Sequence, residues 1–248
     1  MGFLLNIFTV VLGSMVGVTV GGRLPVRMRE TVLHGLGLVT LGYSAISVVD
    51  AMAGQVNPPV KFMTALFALL LGAVAGEVLD IEGAMARLAR WIETRLARAG
   101  SGAPDAAETA RFVRGFVTCS VLFCIGPMTF LGSIQDGLSG NISLIGIKSA
   151  LDLFSSMAYA SSLGIGVAFS ALSVLVIQGG LTLLASSAQS IMSPLVIAML
   201  SLVGGLMTFG VALSLLEIKQ IRMANFLPAL ILAPLFTLAL GALGIAGF

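Results

Sequence analysis

Long, almost uncharged apolar stretches recur along the whole chain and constrain its fold more than any other feature. Each has about 20 residues, the length that an α-helix needs to cross the hydrocarbon core of a bilayer. Backbone groups in lipid must bond within their own segment, so runs this long predict helices rather than barrel strands. We predict an all-α, polytopic membrane protein, one transmembrane domain over 1–248 with about eight spanning helices. The predicted spans are 3–22, 33–52, 62–78, 116–134, 142–163, 166–185, 191–216 and 226–246.

Composition agrees with this class. Only 10% of the residues are charged and 58% are hydrophobic, whereas an average soluble domain carries about a quarter charged residues. A water-soluble fold could not cover its surface with so few charges. The bilayer is therefore a predicted partner of the chain, and nothing in its charge pattern predicts nucleic acid as another.

Basic residues predict the orientation, because Lys and Arg concentrate in short cytoplasmic loops. Of the 13 basic residues, only Lys61 and Lys148 lie outside the odd-numbered loops. The odd loops are therefore predicted to be cytoplasmic and both termini to be on the outer side. No basic residue precedes the first apolar run, so we expect a retained helix rather than a signal peptide. The odd-loop residues are Arg23, Arg27, Arg29, Arg87, Arg90, Arg95, Arg98, Arg111, Arg114, Lys219 and Arg222.

Residues 82–110 are predicted to form a cytoplasmic amphipathic helix followed by a linker. Apolar residues recur there at three- and four-residue steps, arginines occupy other faces, and Trp91 is an interfacial anchor. This pattern is typical of a helix on a membrane surface. Attachment to anionic lipid is favoured over binding of a partner protein. The apolar positions are Met85, Leu88, Ile92 and Leu96.

An internal repeat is visible in the sequence. The motif GLVTLG at 37–42 recurs as GLMTFG at 205–210, and 62–71 resembles 226–235. Predicted helices 1–3 therefore match helices 6–8. An odd number of helices separates the two sets, so their orientations are opposite, as in the inverted repeats of many secondary transporters. Chance similarity among Gly- and Leu-rich helices is the alternative.

Glycines at four-residue spacing predict close helix contacts, because small residues let backbones approach in lipid. Gly13, Gly17 and Gly21 form one such face, and Gly72 and Gly76 form another. These faces join helices either within one chain or between chains of a homo-oligomer.

Lys148 and Asp152 are two charged residues well inside the fifth predicted span, 142–163. They are four residues apart and therefore on one helical face. Charges at this depth are rare and usually face the protein interior or a water path. A self-neutralising structural pair is the alternative to a functional one. Ser149 and Ser155 are close by, so we predict a polar cavity where Asp152 binds a cation or takes a proton.

The fourth predicted span is interrupted at Gly126 and Pro127, because proline removes a backbone donor and clashes one turn back. A broken helix beside Asp152 is typical of ion sites in transporters, and Thr129 is near the break. Residues 132–141 are Gly-rich and polar, which predicts an outer loop or a re-entrant mouth. The further pathway candidates are Asp136 and Asn141 in that loop and Gln178 in the sixth helix.

We find no motif for catalysis, metal binding or a cofactor in the sequence. The single histidine, His34, has no partner at zinc spacing, and membrane serines without a histidine do not form a hydrolase site. Cys119 and Cys124 are five residues apart on one predicted helix, about 7.5 Å along its axis, which disfavours a disulfide. We therefore expect that the chain is not an enzyme.

Three sequence motifs resemble those of a bacterial membrane-protein family. CIGPMTFLGSIQDGL at 124–138, KSALD at 148–152 and QGGLT at 178–182 are similar to the uncharacterised proteins of the YdfK and YqgA type. The N-terminal glycine motifs resemble the same family, so the likeness covers nearly the whole chain. It implies a location in the bacterial cytoplasmic (inner) membrane, and transport is the function usually suggested for such proteins.

The sequence thus favours a secondary transporter or permease for a small solute or ion, with its polar site at predicted helices 4 to 6. One alternative is an oligomeric ion channel or pore. A second is a non-transporting scaffold or sensor that presents the amphipathic helix to a partner.

Overall fold

Helices make up the fold of the chain. A computed structural model describes residues 1–21, 25–53, 57–99, 105–125, 127–185, 187 and 192–244, without the side chains of 29, 97–99 and 127. No strand occurs in these ranges. The helices are α1 (Gly2–Gly21), α2 (Val26–Met52), α3 (Pro58–Val78), α4 (Ile81–Ala99), α5 (Ala106–Ile125), α6 (Pro127–Ser139), α7 (Ser143–Leu163), α8 (Gly166–Leu183), α9 (Pro194–Leu215) and α10 (Ala229–Ala242).

Six segments of the described chain are long and apolar enough to cross a membrane. They are α1, α2, α3, α8, α9 and the segment Met223–Ala242, which joins a short 3₁₀ turn to α10. The bent pair α5–α6 raises the number to seven if it forms one span. α7 has the required length, but its polar residues keep it below the apolarity of the others. The all-α membrane class is confirmed, and the finer prediction of eight spans is not.

α1 and α7 pack along their whole lengths because glycines of α1 face the backbone of α7. A Cβ atom at Gly13, Gly17 or Gly21 would lie 2.1–2.3 Å from the carbonyl oxygens of Leu153, Met157 and Ser161. Only glycine permits an approach this close. The predicted glycine face of the first helix therefore joins two helices of one chain.

Two further helix pairs use the same principle. Gly72 and Gly76 of α3 contact the backbone of Ala229 and Asn225 at the start of the last segment. α2 packs on α9, where Gly205 contacts Ser47 and Val48 of α2 and Gly37 contacts Leu215 of α9. The beginning of α2 thus meets the end of α9, so the two helices are antiparallel.

α4 packs against α5 through a small apolar cluster. Ala89 and Ile92 are buried against Phe112 and Phe116. A helix is present where the amphipathic helix was predicted, and residues 100–104 of the predicted linker lie outside the described residues. The predicted membrane-facing stripe is divided, however, because Ile92 faces α5 while Leu88 and Leu96 are exposed, as is Trp91.

Asn225 fixes the beginning of α4. Its side-chain oxygen accepts a hydrogen bond from the backbone N–H of Glu82 at 2.7 Å, and its amide donates to Glu77 Oε2 at 2.6 Å. Glu82 in turn accepts a hydrogen bond from the N–H of Ala224 at 3.1 Å. These bonds join the end of α3, the start of α4 and the 3₁₀ turn before α10.

Of the two predictions for 132–141, the outer loop is wrong for most of that range, whereas the bent helix pair is compatible with a re-entrant segment. Residues up to Ser139 belong to α6, and α6 is bent by 64° from α5. The glycines that suggested a loop serve helix packing instead. A Cβ at Gly132 would meet Ile145 at 2.7 Å, and one at Gly137 would meet the Thr182 carbonyl oxygen at 2.1 Å.

We predict that Gly17→Ala destabilises the protein by about 1–3 kcal/mol, because the added methyl group overlaps the Met157 carbonyl and forces α1 away from α7. Thermal unfolding of the purified chain in detergent measures the change. Gly42→Ala is the matched control, since nothing lies within 4 Å of a Cβ at Gly42. Equal unfolding temperatures for the two variants would contradict the glycine contact.

Candidate functional site

Four buried polar side chains meet between α1, α7 and α8. Lys148 Nζ pairs with Asp152 Oδ2. Asn6 Nδ2 donates to the same carboxylate oxygen at 3.0 Å and lies 3.2 Å from Gln178 Oε1. Asn6 and Gln178 are fully buried, and Lys148 and Asp152 are 6% and 7% exposed. The expected ion pair is therefore present, and two neutral amides extend it into a network.

The helices place these groups through local periodicity and close packing. Lys148 and Asp152 share one face of α7 because they are one turn apart. The glycine contacts hold α1 against that helix, so Asn6 reaches the carboxylate directly. Gln178 lies in a π-helical turn of α8, Leu175–Gly179. Such single turns often occur at functional sites.

A cavity of about 290 Å³ opens beside the ion pair. Side chains from α2, α5, α6, α7 and α9 line it, and most of the lining surface is apolar. Its polar lining consists of the ion pair and five hydroxyl groups. The lining residues are Leu36, Val39, Thr40, Tyr43, Leu122, Phe123, Met128, Lys148, Leu151, Asp152, Ser155, Tyr159 and Thr208.

The two oxygens of Asp152 have different surroundings. Oδ2 receives both Lys148 and Asn6, whereas no described residue donates a hydrogen bond to Oδ1. Asp152 lines the cavity, so the carboxylate reaches its wall with Oδ1 not bonded to another described residue. Gln178 Nε2 is enclosed and has no partner among the described residues. A buried network with a free acceptor and an unpaired donor is poorly explained by packing alone.

At the helix break next to the site, a nearby side chain donates a hydrogen bond to a backbone carbonyl at the end of α5. α5 ends at Ile125 and α6 begins at Pro127, as the proline predicted. Gly126 and the side chain of Pro127 lie outside the described residues. Thr129 is buried, and its hydroxyl donates to the carbonyl of Phe123 at 3.1 Å. Thr129 therefore stabilises the break and does not line the cavity.

The other predicted pathway residues are distributed over three places. Ser155 lines the cavity, whereas Ser149 is buried behind it and donates to the Ile145 carbonyl at 2.7 Å. Asp136 is buried at the start of α1, where it accepts the Gly2 N–H at 2.6 Å and contacts the Met1 amino group at 2.9 Å. Asn141 is exposed and caps α7 by accepting the N–H of Ser143 at 3.0 Å. The structure thus brings Lys148, Asp152, Ser155 and Gln178 together, and separates Asp136 and Asn141 from them.

Sequence reasoning missed Asn6, Tyr43 and Tyr159. Asn6 is a strong hydrogen-bonding side chain in the very apolar helix α1, which is the signal that could have identified it. Tyr159 is buried in α7, and its hydroxyl is 2.8 Å from Thr40 Oγ1, so it joins α7 to α2. Tyr43 lines the same cavity.

A larger cavity of about 540 Å³ lies between α4, α5, α9 and the 3₁₀ turn. Arg90, Arg114 and Gln220 contribute polar groups to it, and Glu82 lies at its edge. Arg114 is paired with Glu217 at 3.2 Å. Burial raises the pKa of Glu82, and the hydrogen bond from Ala224 opposes that rise.

No three His, Cys, Asp or Glu side chains converge as a metal site requires within the described ranges. Cys119 and Cys124 are buried free thiols in the apolar core.

The match to a family model covers almost the whole chain. The model "Protein of unknown function (DUF554)" matches residues 1–238. The chain belongs to the DUF554 family. This confirms the resemblance that the three motifs indicated.

Two relatives in the DUF554 family match over nearly their full lengths. "Uncharacterized protein YqgA" of Escherichia coli is 32% identical over 237 residues, with 94% of each chain covered. "Uncharacterized membrane protein YdfK" of Bacillus subtilis is 25% identical over 247 residues, with 98% of each covered. No solved structure gives a significant match.

We predict that Asn6→Leu destabilises the chain by about 1–3 kcal/mol, because it leaves Gln178 Oε1 buried without a donor and removes one donor from Asp152. Thermal unfolding in detergent measures this cost. Asn57→Leu is the matched control, since Asn57 is exposed and makes no cap hydrogen bond with its side chain. A loss no larger than that of the control would show that the network adds nothing to stability.

Proposed function

We propose that the chain is a secondary transporter for a small solute or ion, in which the polar site of α5 to α8 is exposed alternately to the two sides of the membrane. The observation that carries this proposal is the ion pair of Lys148 and Asp152 on the wall of a cavity inside an apolar helix bundle. Charges at such depth are expensive, and a water-accessible cavity beside them is the usual reason for keeping them. Asp152 lines the cavity, so its carboxylate is the group that would meet a solute.

The two cavities supply a route from one side. On α5, Val121 lines the larger cavity and Leu122 the smaller one. On α9, Val211 lines the larger cavity and Thr208 the smaller one. These two residues are only about 4.5 Å apart along the helix axis. A thin layer of side chains therefore separates the ion pair from a cavity that is lined by arginines. Movement of α5 against α9 would join the two cavities, which is the step that alternating access requires.

Contacts between helix ends support eight spans in alternating directions. Residues of the predicted third and seventh loops meet, as the hydrogen bond from the Ala224 N–H to Glu82 indicates. Arg111 donates to the Ser162 carbonyl at 2.8 Å, which brings the third loop and the end of the fifth predicted span to that same side. At the other end, Gly2 meets Asp136 of α6. These contacts favour a topology with the basic loops in the cytoplasm and both termini on the outer side of the bacterial cytoplasmic membrane.

The packing of α2 on α9 supports the inverted repeat of predicted helices 1–3 and 6–8. Gly37 contacts Leu215 and Leu216, while Gly205 contacts Ser47 and Val48. Positions 37, 47 and 48 precede 205, 215 and 216 by the same offset along the chain. Exchanging the two repeats therefore converts one contact into the other. Such reciprocity arises when two related helices cross a twofold axis in the plane of the membrane.

We expect Asp152→Asn to abolish saturable uptake while the chain stays folded, because an amide keeps the size of the side chain but removes its charge. Uptake is measured in proteoliposomes with labelled amino acids, polyamines and cations under imposed proton and sodium gradients. Counterflow of a solute by the wild-type chain identifies a carrier. Size-exclusion elution and unfolding temperature report whether the variant is folded.

Asp50→Asn is the control for this experiment, since Asp50 is exposed at the end of α2 and lines neither cavity. Full uptake by a folded Asp152→Asn variant would remove the proposed site. Non-saturating single-channel currents from the wild-type chain would favour an ion channel over a carrier.

A further inference from the structure

The cavity at the centre of the chain already holds an alkyl ammonium group on a carboxylate. The ammonium of Lys148 pairs with Asp152, and it lies 5.8 Å from the centre of the Phe123 ring. Phe123 and Asp152 both line the 290 Å³ cavity. Aromatic faces attract cations, so a carboxylate, a ring and apolar walls together suit an ammonium group that carries a short hydrocarbon body.

We propose that the site binds a small protonated amine, and that the Lys148 side chain occupies the amine position when no ligand is present. The proposal deepens the transport function proposed above by naming the class of its solute, and its binding step can be measured without transport. Asp152 Oδ1 offers the arriving amine a first contact while Lys148 still occupies Oδ2.

The lining favours an organic amine over an inorganic cation. Hard cations such as Ca²⁺ and Mg²⁺ take about six or more oxygen ligands, and Asp152 provides one free carboxylate oxygen. The hydroxyl groups of Thr40 and Tyr159 bind each other at 2.8 Å, and Thr208 donates to the Gly204 carbonyl at 2.8 Å. Most of the wall is apolar, which matches an alkyl group rather than the hydration shell of an ion.

The charges around the pair allow only one cation at a time. The titratable groups that face it are Tyr43 of α2, Cys119 and Cys124 of α5 and Tyr159 of α7. Thiols and phenols are neutral at pH 7, and α1 and α8 contribute the neutral amides of Asn6 and Gln178. Asp152 is therefore the one negative charge among the described groups at this place.

An amine that takes the carboxylate leaves Lys148 without a counter-charge. An unpaired ammonium is strongly disfavoured in a low-dielectric interior and neutralises instead. The Nζ–H bond of Lys148 then breaks, its electron pair stays on nitrogen, and the proton leaves through the cavity to water. One ammonium enters and one proton departs, so the charge of the site is unchanged. In a carrier this coupling would exchange an amine for a proton.

Release of protons on amine binding tests the proposal. The probe is n-butylammonium chloride, which reproduces the lysine side chain, added at matched pH to the purified full-length chain in weakly buffered detergent solution at pH 7. A pH indicator should record about one proton per bound amine, because one carboxylate balances one ammonium. Neutral n-butanol, tetramethylammonium, which has no N–H donor, and sodium chloride should release none.

The variant Lys148→Arg distinguishes two roles of Lys148, a proton donor and a structural counter-ion. Arginine keeps the positive charge beside Asp152 but does not deprotonate in proteins, so we expect amine binding to release no protons from this variant. Lys61→Arg is the matched control. Lys61 is also buried, but carbonyl oxygens of Ala51 and Ala53 hold its ammonium at 3.1 and 2.6 Å. Its replacement should leave the release unchanged.

Absence of proton release from the wild-type chain, or equal release from Lys148→Arg, would overturn the proposal. Proton release on addition of sodium chloride would contradict the proposal that the ligand is an amine. Saturable uptake of a solute without amine-evoked release would keep the carrier and discard this inference. Release without uptake of any solute would keep the amine site and discard the carrier.

Discussion

A charge among apolar helices needs its counter-charge beside it, and the centre of this protein is arranged around that requirement. Asp152 and Lys148 are one turn apart on α7 and pair with each other. Asn6 adds a neutral donor from a second helix. The pair remains incompletely satisfied, because no described residue donates a hydrogen bond to the second carboxylate oxygen. The polar face of α7 therefore depends on the helices that cover it.

Glycine supplies the packing that surrounds α7. Hydrophobic burial contributes little between helices in lipid, so close backbone contact has to provide the association energy. Gly13, Gly17 and Gly21 bring α1 against α7 along its length, and this contact also positions Asn6. The residues that stabilise the bundle and the residues that form the polar network therefore depend on the same helix pair.

Local patterns predicted the parts of the site that lie on one element. The four-residue spacing identified Lys148 and Asp152 as partners, and the proline identified the break after α5. Asn6 was missed because its role depends on which helix packs against α1. The sequence of α1 by itself does not identify that helix. The outer loop predicted as one alternative for 132–141 was wrong for a related reason. Gly132 and Gly137 are typical of turns in sequence, but here they let α6 approach α7 and α8.

Asp136 also links α6 mechanically to the ion pair. It binds the first backbone amide of α1, at Gly2, and Asn6 is one turn further along the same helix. A carboxylate at this end is favourable for the dipole of α1, which makes the attachment firm. If α6 pivots at its junction with α5, the bond between Asp136 and Gly2 transmits the motion to α1. A change in the tilt of α6 would therefore change the hydrogen bond from Asn6 to Asp152. The bend after α5 is in this way connected to the carboxylate of the ion pair.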